Sequence, residues 1–64
     1  MKKKELKNLA VQIADAEKIL SNNPSPEERK EAENTIMRLT SRVTSLEDMM
    51  YMDELIQKFL EKNS

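Results

Sequence analysis

Apolar residues in the first third of the chain recur at helical spacing. Within residues 3–20, every third or fourth position is apolar at Leu6, Leu9, Ile13, Ala16 and Leu20. Side chains with this spacing lie on one face of an α-helix, at the a and d positions of a heptad. The pattern therefore predicts a first helix over about residues 3–21. Val11 falls outside the stripe and is a candidate second contact.

The stretch "SNNPSPEE" separates this helix from the next and contains both prolines of the chain. The residue before Pro24 is pushed out of helical conformation. Ser25 is a favourable N-cap, Pro26 suits the first helical position, and Glu28 completes a capping box with Ser25. We therefore predict a turn at residues 22–25 and a second helix that begins at Pro26.

A second heptad stripe follows the turn, with apolar residues at Ala32, Ile36, Leu39, Val43, Leu46 and Met50. Because a short loop makes two helices antiparallel neighbours, the stripes predict an all-α, antiparallel, coiled-coil-like helical hairpin with a long second helix over about residues 26–62. The whole chain, 1–64, is expected to be one domain that assembles as an oligomeric helical bundle. The predicted hairpin seam consists of Leu6, Leu9, Ile13, Leu20, Ile36, Leu39, Val43 and Leu46.

The apolar register changes after Met50. The next position in phase is Asp53, while the apolar residues move to Met52, Leu55, Ile56, Phe59 and Leu60. Either the helix continues with a slip in its repeat, or it is kinked or broken near residues 48–53 and a third helix folds back. In the second case Ser45 with Asp48, or Asp53, would act as the cap. The lack of glycine and proline here favours a continuous or slightly kinked helix.

This apolar cluster is the predicted partner interface. Counted back from the turn, Leu46 already lies opposite the start of the chain, which leaves residues 47–64 without an intrachain partner. Burial in a homo-oligomer, with a dimer favoured, is the preferred interpretation. Docking onto a different protein is the alternative, since methionine repacks easily. The interface residues are Met49, Met50, Met52, Leu55, Ile56, Phe59 and Leu60.

Composition limits the chemistry. The chain has no cysteine and no histidine, which removes disulfides, thiolate metal sites and the usual general base. Glu27 and Glu31 share a helix face, but two carboxylates on one helix make a poor metal site. We expect no enzyme, no metal and no cofactor. A domain of 64 residues without these stabilisers is marginal, which again favours a partner subunit.

The formal net charge is −1, so nucleic acid is an unexpected partner, and no apolar run approaches the length of a membrane span. We expect a cytoplasmic, non-enzymatic protein–protein interaction module: a small assembly subunit, adaptor or regulator. One alternative is a small inhibitor that binds and occludes a larger enzyme or complex. Another is a nucleic-acid-associated regulator that uses the lysines at positions 2–4.

Overall fold

Three α-helices make up the computed structural model, which describes residues 1–62. They are α1 (Lys3–Ser21), α2 (Pro26–Thr40) and α3 (Leu46–Lys62). The all-α class is therefore confirmed, and no residue between 1 and 62 is in a β-strand. Positions 63 and 64 of the predicted domain lie outside the described residues.

The start of α2 has the local structure that its sequence predicts. The backbone N–H of Glu28 donates to Ser25 Oγ at 3.3 Å, and the backbone N–H of Ser25 donates to Glu28 Oε1 at 3.2 Å. Both hydrogen bonds of a capping box are thus present, with Pro26 in the first turn. Before the cap, Asn23 has a φ of 51°, a left-handed conformation that asparagine tolerates better than most residues.

The structure corrects the predicted long second helix. The range 26–62 is divided at residues 41–45, and the chain restarts as α3 at Leu46. This connection is itself rich in serine and threonine (Ser41, Thr44 and Ser45), which favour caps and turns over helix interiors. Ser45 caps the new helix, because its Oγ accepts from the backbone N–H of Asp48 at 3.4 Å and its carbonyl from that of Met49 at 3.0 Å. The break therefore lies before the predicted 48–53 region.

Helix α1 contacts both other helices, whereas no Cα atom of α2 lies within 8 Å of one in the described part of α3. Three alanines in α1, Ala10, Ala14 and Ala16, are buried and allow the neighbouring helices to approach closely. Among the described residues no polar side chain is buried. The main core cluster is Leu6, Leu9, Ala10, Ile13, Ala14, Leu39, Val43, Met52 and Ile56.

The first turn of α3 lies beside the start of α1. The N-terminal ammonium of Met1 is 3.2 Å from Asp48 Oδ2, and the Nζ atom of Lys3 lies 5.7 Å from the centre of the Tyr51 ring. Exposed ion pairs of this kind stabilise a fold by about 0–1 kcal/mol. These contacts therefore help to set the position of α3 along α1, while burial of apolar side chains supplies most of the stability.

Candidate interaction surface

Most of the predicted partner interface is turned inward. Met52 and Ile56 are buried in the core cluster, so this part of the prediction is corrected: in the fold these two side chains are covered by their own chain. Their spacing of four residues places them on one face of α3. Three other predicted interface residues are half-buried and pack against the same core, as Tyr51 does: Leu55, Phe59 and Leu60.

The exposed part of the predicted interface lies at the start of α3. Met50 is 62% exposed and Met49 is 38% exposed. Leu46, which was predicted in the hairpin seam, is 73% exposed, and this placement corrects the prediction. Because Met49 and Met50 follow Leu46 by three and four positions, each of the two methionines is a neighbour of Leu46 on the helix surface. We call these three residues the α3 patch.

The other predicted seam residues are less exposed. Leu20 and Ile36 are half-buried, and Ile36 packs against the core. Buried positions in the core cluster are taken by the remaining five: Leu6, Leu9, Ile13, Leu39 and Val43. Leu46 therefore differs from the rest because the chain breaks just before it, which rotates its side chain away from the stripe that the heptad count gave it.

Acidic residues surround the α3 patch. Glu47, Asp53 and Glu54 are all exposed. Asp53 follows Met49 by four positions and Glu54 follows Met50 by four, so each carboxylate is next to a methionine along the helix. An exposed apolar group with a charged rim is the usual composition of a protein-binding surface. The sign of the charge favours a partner with basic residues around an apolar centre.

A cleft of about 480 Å³ lies between α1 and α2. Its apolar lining comes from Ala16, Ile19 and Ala32, and the small alanine side chains leave the depression open. Acidic and polar groups complete the wall: Gln12, Asp15, Glu28, Glu31, Thr35 and Arg38. A smaller hollow of about 260 Å³ lies near the start of α1, where Glu5 and Asn8 approach Arg42.

The described residues contain no group of three or more acidic, histidine or cysteine side chains placed to hold a metal ion. Glu31, which was weighed as a metal ligand with Glu27, lines the α1–α2 cleft. None of the helices described is long and apolar enough to cross a bilayer. The expected cytoplasmic location stays a prediction.

The lysine-rich start of the chain has mixed surroundings. Lys2 and Lys4 are exposed, while Lys3 lies over the Tyr51 ring. Asp48, in the first turn of α3, pairs with the terminal ammonium group of Met1. The nucleic-acid alternative is therefore supported by a short basic run alone. Among the described residues, no aromatic side chain is exposed for bases to stack on.

No family model matches this chain, and no curated protein or solved structure is significantly similar to it. The functional argument therefore depends on the surface itself. Sequence reasoning missed the exposure of Leu46 and the α1–α2 cleft. The signal for the first was Ser45 with Asp48, the cap considered above for a third helix, which the structure contains although a continuous helix was favoured.

Proposed function

We propose that this chain is a non-enzymatic protein–protein interaction module, a small assembly subunit, adaptor or regulator that binds another protein through the α3 patch. The observation that carries the proposal is the exposure of Leu46 and Met50, with the less exposed Met49 between them and the core-facing side of α3. A folded domain has no need of this apolar surface for its own stability. Burial of it against a partner would be favourable.

The finer architecture is part of the same proposal. We propose that α1 and α2 pair as an antiparallel hairpin and that the chain works as part of an oligomer. The short connection at residues 22–25 and a cleft lined by residues of both α1 and α2 support the first point. A chain of this size without disulfides or a metal site needs another source of stability, which a partner subunit would supply. This supports the second point, that the chain works as part of an oligomer.

The size of the α3 patch sets the kind of complex. Three apolar side chains are fewer than the roughly 20–30 residues that each side of a standard-size interface contributes, with roughly 800 Å² buried per partner. The partner must therefore either also contact neighbouring acidic residues or bind weakly. Methionines suit such a surface because their flexible side chains adapt to different neighbours. An occluding inhibitor would use the same patch, and the identity of the partner separates the two roles.

The test is a comparative pull-down with the full chain. Leu46→Asp with Met50→Asp removes the apolar character of the α3 patch at two exposed positions, so the fold is expected to be retained. The matched control is Met37→Asp, which makes the same kind of change at an exposed position of α2. The proposal predicts a protein that is recovered by the parent and by the control, and that is lost with the double variant.

If the double variant recovers every protein that the parent recovers, copies of the chain itself set aside, the proposal is contradicted. Circular dichroism of all three chains checks that helix content is unchanged. If the protein lost with the double variant is the chain itself, the α3 patch is a contact between copies. If it is an enzyme whose activity falls on binding, the inhibitor role is supported.

A further inference from the structure

The outward side of α1 carries a second surface. Lys4, Lys7, Val11 and Asp15 are all exposed. They follow one another by steps of three or four residues, which places them on one face of the helix, away from its buried stripe. Val11 is 40% exposed, although it is apolar and central in α1. We call these four residues the α1 back face.

Charge is divided along this surface. Its basic part, Lys4 and Lys7, lies towards the start of α1. Its acidic part begins at Asp15, which lines the α1–α2 cleft together with Glu28 and Glu31. One cation, Arg38, also lines that cleft, so carboxylates outnumber cations there three to one. Lys7 and Asp15 therefore carry opposite charges on either side of Val11. Lys18, half-buried and three positions after Asp15, adds a positive charge at the acidic end.

Among residues 1–62, neither Lys4 nor Lys7 lies within 4 Å of an acidic group. In the described part of the chain, the ion pair found within 4 Å joins the Met1 terminus and Asp48, and it involves no lysine. Lys7 and Asp15 stand four positions before and after Val11, about 6 Å along the helix in each direction at 1.5 Å per residue. A two-fold axis at Val11 would therefore bring Lys7 of one copy opposite Asp15 of another, twice.

We propose that the chain binds a second copy of itself through the α1 back face. The two α1 helices pack antiparallel, with the Val11 side chains at the two-fold axis and the two Lys7–Asp15 pairs on either side. The same patch on both copies closes the assembly as a dimer, as isologous interfaces do. This inference goes beyond the proposed function, because it uses a different surface from the α3 patch and names the partner.

The dimer is expected to be weak. Helix α1 has 19 residues, about 28 Å at 1.5 Å per residue, and with α2 beside it the surface is roughly 20 Å wide. Such a face buries less than the roughly 800 Å² per partner of a standard interface. Lys4 also lies opposite the half-buried Lys18 in this register, and the two-fold axis makes this unfavourable pair occur twice, as it does the Lys7–Asp15 pair. Dimerisation should therefore depend on protein concentration and weaken as salt is added.

Sedimentation of the purified full chain tests the charge pairing. Lys7→Glu sets a carboxylate against Asp15, and Asp15→Lys sets two ammonium groups against each other, so each variant alone should dimerise roughly tenfold or more weakly than the parent. In the mixed dimer that forms from an equimolar mixture, one pair joins the native Lys7 and Asp15. The other pair joins the two introduced charges, negative at position 7 and positive at position 15, so both pairs again join opposite charges. The mixture should therefore dimerise more strongly than either variant alone, which loss of folding could not produce.

Matched controls separate this effect from a change in total charge. Lys58→Glu on α3 and Glu33→Lys on α2 make the same charge reversals at exposed positions elsewhere, and neither should alter the parent's dimerisation. A parent chain that is monomeric at all concentrations would overturn the inference. So would single variants that dimerise like the parent, or a mixture that dimerises no better than its components. The α3 patch variant with Leu46→Asp and Met50→Asp should still dimerise, so failure of the proposed function leaves this result unchanged.

A covalent trap gives an independent readout. The chain has no cysteine, so Val11→Cys introduces a single thiol at the proposed axis. Oxidation should give a disulfide-linked dimer faster than it does for Met37→Cys, an exposed control on α2. Equal rates for the two variants would contradict an axis at Val11.

Discussion

Ser25 and Ser45 hold equivalent positions, since each is the residue immediately before a helix. In both cases the side-chain oxygen accepts from the backbone N–H three positions later, at 3.3 Å for α2 and 3.4 Å for α3. These bonds satisfy donors that the first turn of a helix otherwise leaves without partners. Two small polar side chains thus fix the starting points of α2 and α3.

Removal of the second cap should weaken the fold measurably. Ser45→Ala deletes the acceptor for the Asp48 N–H and is expected to lower the free energy of unfolding by about 1 kcal/mol. Urea denaturation followed by circular dichroism measures the change. Thr44→Ala, one position earlier and exposed, is the matched control and should change stability by less than roughly 0.5 kcal/mol. Equal effects of the two substitutions would show that Ser45 does not cap α3.

Substitutions at two positions of α3 can distinguish its core-facing side from its exposed side. Ile56→Ala empties a buried position and should destabilise the fold by about 2–5 kcal/mol, a large part of the stability of a small domain. Met50→Ala removes an exposed side chain and should cost less than roughly 0.5 kcal/mol. Chemical denaturation of both variants is the measurement. Similar losses would mean that α3 is not oriented as described.

At the scale of the element, α3 is the part of the chain that sequence reasoning placed least well. The first helix, the turn at 22–25 and the start of α2 at Pro26 could be predicted, because spacing and a capping box are local signals. The break at 41–45 competes with an apolar stripe that continues through Val43 to Met50. Val43 remains buried in the structure while Leu46 becomes exposed. Contacts with α1 decide between a break and a continuous helix, and no local sequence pattern contains those contacts.

Amide hydrogen exchange distinguishes two helices from one. Leu46 and Glu47 begin α3, and the first residues of a helix have no acceptor four positions earlier. Their amides should exchange quickly, while those of Met52 and Ile56 are protected by the helix and the core. Nuclear magnetic resonance of the full chain gives the rates. Slow exchange at both 46 and 47 would indicate a continuous helix across the break.

At the scale of the whole molecule, α1 is the shared partner of the two other helices. This explains why its buried stripe is broad and includes alanines, whereas α2 and α3 each bury fewer residues. The candidate site was only partly predictable for the same reason. The sequence shows that the cluster after residue 48 is apolar, but its division between core and surface depends on which side of α3 meets α1. Met49 and Met50 fall on the surface, and Met52 falls in the core.

The central claim is that residues 46–62 complete the chain's own core. Denaturation of the full chain compared with a chain that ends at Ser45 tests it most directly. Without α3, side chains of α1 such as Leu6 and Ile13 lose the covering that Met52 and Ile56 provide. The shortened chain should therefore lose its cooperative unfolding transition, while the full chain keeps one. A shortened chain that unfolds cooperatively, with the stability of the full chain, would contradict the account.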